Sequence, residues 1–147
     1  MILYRLISFI VLFAFVSTTL YFHNGSRHEA AGEYSHMPNE IPSGTPAPSI
    51  NGKVTRDPSG SWLLAIQTEN FQFVPEKAGL KEASYHEGHA HLYIDGKKIN
   101  RIYGKYYHLD KLKKGNHVIK VTLNSHNHGT LVQNGKEIAF KKKITVH

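Results

Sequence analysis

Between residues 50 and 147 the chain is cut into short runs of alternating apolar and polar residues, each closed by a turn signal. That pattern leaves little room for anything but strands. Residues 50–56 run into the turn Asp57-Pro58-Ser59-Gly60. In residues 62–68, Trp62, Leu64 and Ile66 share a face. Phe71-Gln72-Phe73 stops at Pro75, and residues 77–86 read as a loop. Residues 89–94 then lead into Asp95-Gly96, a strong two-residue hairpin signal. Residues 98–103 return, 106–109 form a short run, and Lys114-Gly115 turns into residues 116–123. After a second hairpin signal at Asn134-Gly135, residues 138–146 close the domain with Ile138, Phe140, Ile144 and Val146 on one face. About seven such strands in roughly 100 residues predict an all-β fold, an antiparallel immunoglobulin-like β-sandwich. A small Greek-key barrel is the alternative.

Ahead of this domain lies a different kind of sequence. Residues 6–22 are LISFIVLFAFVSTTLYF, preceded by Arg5 as the only charged side chain. A positive start followed by an apolar run is the build of a secretory signal. Helix over those residues would span about 26 Å, and including Ile2 to Tyr4 brings it to the roughly 30 Å of a bilayer core. The run ends in Thr18, Thr19, Leu20, Tyr21 and Phe22 without a small-residue cleavage site. Residues 1–22 are therefore expected to be either a signal peptide or an N-terminal membrane anchor, with Arg5 inside and the rest outside. The expected location is periplasmic or otherwise extracytoplasmic, with anchoring in the inner membrane as the uncleaved case. Residues 23–49 are rich in Gly, Ser, Pro and Asn and read as a flexible linker. His28, His36 and Met37 fall in it and are taken as incidental. The domain is expected over 50–147.

The chain has no cysteine. This excludes disulfides, thiolate metal sites, a cysteine nucleophile and a blue-copper centre. Charge is uneven: from His89 onward there are twelve Lys and Arg against three Asp and Glu. The lysines are spread along strands without an arginine cluster, and an exported domain does not meet nucleic acid, so no nucleic-acid partner is expected. A solvated surface is the plain reading; an acidic protein partner or anionic lipid headgroups are the sharper one. No P-loop, dinucleotide fingerprint, G-x-S-x-G or H-E-x-x-H motif occurs, and no enzyme activity is expected.

Histidine is over-represented, with 11 in the chain. His86, His89 and His91 form one group, His126 and His128 another. In residues 89–94, Ala90, Leu92 and Ile94 suit a core, which places His89, His91 and Tyr93 on the other, outward face. In residues 116–123, Ile119, Val121 and Leu123 suit the core; continued alternation would turn Asn124, His126 and His128 outward as well. The third and sixth strands of an immunoglobulin-like sandwich are antiparallel neighbours. The start of one lies beside the end of the other, so the two His-x-His pairs should meet. His86, His89, His91, His126 and His128 are the candidate metal ligands. All-imidazole ligation suits copper or zinc, then nickel, and copper is the expected cofactor with zinc the alternative. His117 should lie about 30 Å from His126 along the strand, facing inward, as a satisfied histidine at the core edge. His108 is left structural.

From Gly88 to His128 the chain reads GHAHLYIDGKKINRIYGKYYHLDKLKKGNHVIKVTLNSHNH. With its G-H-x-H-x-Y-x-D-G, Y-G, H-L, G-x-H and V-T-L-N elements, this stretch resembles bacterial exported immunoglobulin-like domains, which are related to periplasmic copper carriers of the CopC type. The resemblance implies a small sandwich and copper handling. CopC-type carriers use an N-terminal histidine brace, which this sequence lacks. The expected function is an extracytoplasmic metal-binding domain, copper first, using the histidine cluster. The alternative is a membrane-tethered interaction module whose basic face docks an acidic partner or lipid.

Overall fold

The computed structural model describes residues 2–32 and 37–147, with side chains described at 3–22 and 37–147. They belong to two compact units, which divide at residues 35 and 36. The first is the helix α1 (Ile2–Gly32). Its stretch Leu3–Phe22 is long and apolar enough to cross a membrane, a test that signal sequences also pass. Every side chain in that stretch is exposed. As helix its 20 residues span about 30 Å. Thr18 and Thr19 fit in this apolar run because their hydroxyls donate to the carbonyls of Ala14 and Phe15, at 2.6 and 2.8 Å. The helix continues to Gly32, into the stretch expected to be linker. Once nucleated, a long apolar helix extends at the cost of one residue at a time, even through modest formers. The side chains of His23 and His28, and all of His36, lie outside the described residues.

Among the described residues of the second unit, the regular elements are strands and one 3-10 turn at Pro75–Lys77. Its strands are β1 (Asn39–Glu40), β2 (Ser49–Arg56), β3 (Trp62–Glu69), β4 (Gln72–Phe73), β5 (Glu87–Ile94), β6 (Lys97–Ile102), β7 (Tyr106–Asp110), β8 (Gly115–Asn124), β9 (Leu131–Gln133), β10 (Lys136–Glu137) and β11 (Ala139–Val146). One sheet runs β11-β8-β5-β4, with β6 also on β5; a second runs β2-β3-β7; a small third runs β1-β9-β10. The two larger sheets feed one core. Val54, Trp62, Leu64 and Ile66 come from one side, and Ala90, Leu92, Ile119, Val121, Leu123 and Ile144 from the other. Both expected hairpins form: Asp95-Gly96 and Asn134-Gly135 sit at positive φ throughout, as the tight turn between twisted strands requires.

The pairing is not wholly antiparallel. β1 with β9 and β4 with β5 are parallel. These two-residue contacts tie loops to the main body, and the alternation of a two-residue run carries no signal for them. β1 and Ile41, which is buried in the core, belong to the β unit although their sequence reads as linker.

β5 and β8 are antiparallel neighbours, in the register His89↔Asn124, His91↔Thr122, Tyr93↔Lys120. That register positions the site.

Candidate metal centre

The strand β5 begins with Gly88 for a steric reason. A Cβ there would run into the carbonyl of Asn124 on β8. Glycine therefore lets β8 close onto the strand one residue before His89. From that point side chains alternate as expected: Ala90 and Leu92 enter the core, while His89 and His91 take the opposite face. That face is not solvent. His89 is 0 % exposed and His91 1 %. Beside them on β8 lie Thr122 and Asn124, also buried, with the Thr122 hydroxyl donating to Asn124 Oδ1 at 2.7 Å.

The cover is a tight loop over residues 125–129. Ser125 N donates to the Gly129 carbonyl, and His128 N to the Ser125 carbonyl, both at 3.0 Å. Asn124 Nδ2 donates to the carbonyl of His128 at 3.0 Å. Segments from both sides pin this loop. Asn39 Nδ2 donates to Asn127 Oδ1 at 2.8 Å, and Gly79 N to the His126 carbonyl at 2.8 Å. Ser84 N donates to Ser125 Oγ at 2.6 Å. A Cβ on Gly129 would clash with Asn39 and Met37. His128 takes a left-handed conformation, φ 65°, which folds its ring back over β5.

Three imidazoles meet there. His89 Nε2 lies 2.9 Å from His91 Nε2 and 3.0 Å from His128 Nδ1. One ligand atom from each of the three falls within 4.8 Å of the other two. Lys98 Nζ donates to His91 Nε2 at 3.2 Å, and the ring of Tyr103 lies 5.6 Å from that of His89. Burial holds His89 and His91 neutral. It pushes each down to about 3, assisted by the positive charges of Lys98 and Arg101 and by neighbouring histidines.

A neutral imidazole offers one N–H and one lone pair. His89 Nε2 therefore cannot serve both its neighbours, and the single lone pair of His91 Nε2 is claimed by Lys98. One proton arrangement serves them, with Lys98 donating to His91 Nε2 and His89 Nε2–H to His128 Nδ1; a cation could instead take all three lone pairs. Metal–nitrogen bonds of about 2.0–2.1 Å put ligand atoms about 3.3 Å apart in a tetrahedron and about 2.9 Å apart at the cis edges of a square. The two short separations, 2.9 and 3.0 Å, match the cis edges of a square and are shorter than the tetrahedral edge. His89 Nδ1 is buried without a hydrogen-bond partner, so no second bond fixes its tautomer, which follows whatever occupies Nε2.

The other two candidates stand apart from the trio. His86 is exposed, with Nδ1 3.0 Å from the Asn70 carbonyl. His126 is buried but lies 3.5 Å from Glu87 Oε2, which also takes Lys77 Nζ at 2.6 Å. The cause is that β8 ends at Asn124. Beyond it, turn geometry and not alternation sets direction, and it sends His126 to the carboxylate and His128 to β5. His117 has acceptors on both nitrogens, Asp95 Oδ2 at 2.7 Å and the Lys113 carbonyl at 2.8 Å. His108 Nε2 faces Asp110 Oδ1 at 3.4 Å. Lys98, Arg101 and Asn39 escaped the sequence reading. The tight Asp95-Gly96 turn, which folds β6 against β5, was the available signal for the first two.

Fold and site together define a β domain with a buried three-histidine group able to hold a metal ion, carried behind an apolar N-terminal helix. No protein-family model, curated protein or solved structure matches the chain.

Proposed function

We propose that this protein is an extracytoplasmic metal-binding domain, tethered or exported by α1, that holds one first-row transition ion at His89, His91 and His128. The observation that carries the proposal is the convergence of three ring nitrogens, two of them on neutral, buried imidazoles, close enough for one ion to bind all three. Copper is the favoured occupant, because divalent copper exceeds zinc in affinity for nitrogen sites. The single core between two sheets and the antiparallel β5–β8 pair support an immunoglobulin-like sandwich, and with it the resemblance to CopC-type carriers. An apolar span following Arg5 supports an outside location for the β unit.

The test is copper titration of the full chain in detergent, with elemental analysis of the protein as purified. One ion per chain is expected. His91→Gln should weaken binding by at least about 100-fold, as removing one of three ligands does, whereas His126→Gln should leave it within a few-fold. Copper binding by His91→Gln equal to that of the parent would overturn the site. A C-terminal reporter fusion active only in the cytoplasm would overturn the location.

A further inference from the structure

We propose that a metal at the three histidines takes a small anion as its remaining ligand, and that Lys98 and Arg101 hold this anion; the proposal rests on the metal-binding reading. The face of the sheet that carries His89 and His91 also carries a cationic band. Register places Lys141 opposite Lys120, Lys120 opposite Tyr93 and Tyr93 opposite Lys98, in one row across β11, β8, β5 and β6. The adjacent row sets Arg101 opposite His91. The nearby carboxylates do not pair with Lys98 or Arg101: Glu137 pairs with Lys120 of the band at 2.5 Å, and Glu87 with Lys77 and His126.

The charge balance follows from these positions. Three neutral imidazoles contribute no negative charge, so a divalent ion would sit uncompensated beside an ammonium and a guanidinium. Three protein ligands also leave a coordination position open. An anion in that position answers both needs. Lys98 Nζ is already 3.2 Å from His91 Nε2. When the metal takes that lone pair, the ammonium loses its acceptor and has the metal's anionic ligand as the replacement. Lys98 and Arg101 are exposed and His128 is only partly buried, so the anion enters from solvent on that side. The chemical class is a carboxylate-sized monoanion; an ammonium and a guanidinium donor together match a carboxylate.

The experiment uses the full chain in detergent and copper(II) perchlorate. Copper affinity is measured in sodium perchlorate and in sodium acetate at matched ionic strength and pH, with correction for copper–acetate complexes. Acetate should tighten copper binding by about tenfold in the parent. In Lys98→Met/Arg101→Met the ratio should fall below about twofold, while copper in perchlorate binds more tightly than in the parent because two like charges are gone. The charge-conserving pair Lys98→Arg/Arg101→Lys should keep the acetate effect. Equal parent affinities in the two salts would overturn the proposal, as would a full acetate effect in the methionine variant. Failure of the parent to bind copper in either salt would overturn the metal site itself, and this proposal with it.

Discussion

Acidification should destabilise the β unit through two histidines in particular. Folding holds His89 and His91 neutral down to about pH 3, against 6.5 for a free imidazole. The folded value lies below the unfolded one. The stability they contribute is therefore complete above pH 6.5 and is lost as pH falls through 6.5 toward 3, because only the unfolded chain takes up the protons. At pH 5 each unfolded histidine has gained about 2 kcal/mol from protonation that the folded chain forgoes, so the pair accounts for about 4 kcal/mol between pH 7.5 and 5. That is a large share of the roughly 5–15 kcal/mol of an ordinary domain. The assay is urea unfolding of the metal-free protein at both pH values, comparing the parent with His89→Gln/His91→Gln. Other titrating groups are common to both chains and cancel in the difference. The parent should lose about 4 kcal/mol more than the variant. Equal losses would show that the two rings take up protons in the folded state, and would refute their neutral burial.

Three further outcomes follow from the same geometry. Gly88→Ala should destabilise by about 1–3 kcal/mol, since its Cβ meets the Asn124 carbonyl, and should weaken metal binding as β5 and β8 are forced apart; chemical denaturation and copper titration check both. Asn39→Ala should cost about 1 kcal/mol and loosen the loop of residues 125–129, seen as faster amide exchange there and a weaker metal site, because Asn39 pins Asn127. The Asp95 carboxylate raises His117 above the usual imidazole value, with help from the Lys113 carbonyl. Asp95→Asn should therefore lower the His117 midpoint in an NMR titration. Its stability loss should be greater at pH 6 than at pH 9, since a raised folded value stabilises below 6.5 and fades as pH rises through it.

The alternation in residues 89–94 and 116–123 was enough to find the strands, to pair them antiparallel and to bring His89 and His91 to one face at one end of the sheet. Side-chain parity and hairpin chemistry are local properties, written in a few consecutive residues, as with Asp95-Gly96. Parity says which side of a sheet a ring takes, but it does not say whether that side meets water. Here it does not: the 125–129 loop, the Tyr103 ring and the Lys98 ammonium lie against the rings. The closure depends on Asn39 meeting Asn127 across 88 residues of chain. Likewise the ligand set was decided after β8 ended. One left-handed residue at position 128 brings His128 to β5, while His126 goes to Glu87. An apolar N-terminal segment, an all-β domain and a pair of histidines on one strand were legible in the sequence because each arises from neighbours along the chain. Which third histidine joins them, how deeply they are buried and which charges face them were decided by contacts between distant segments, which no local pattern encodes.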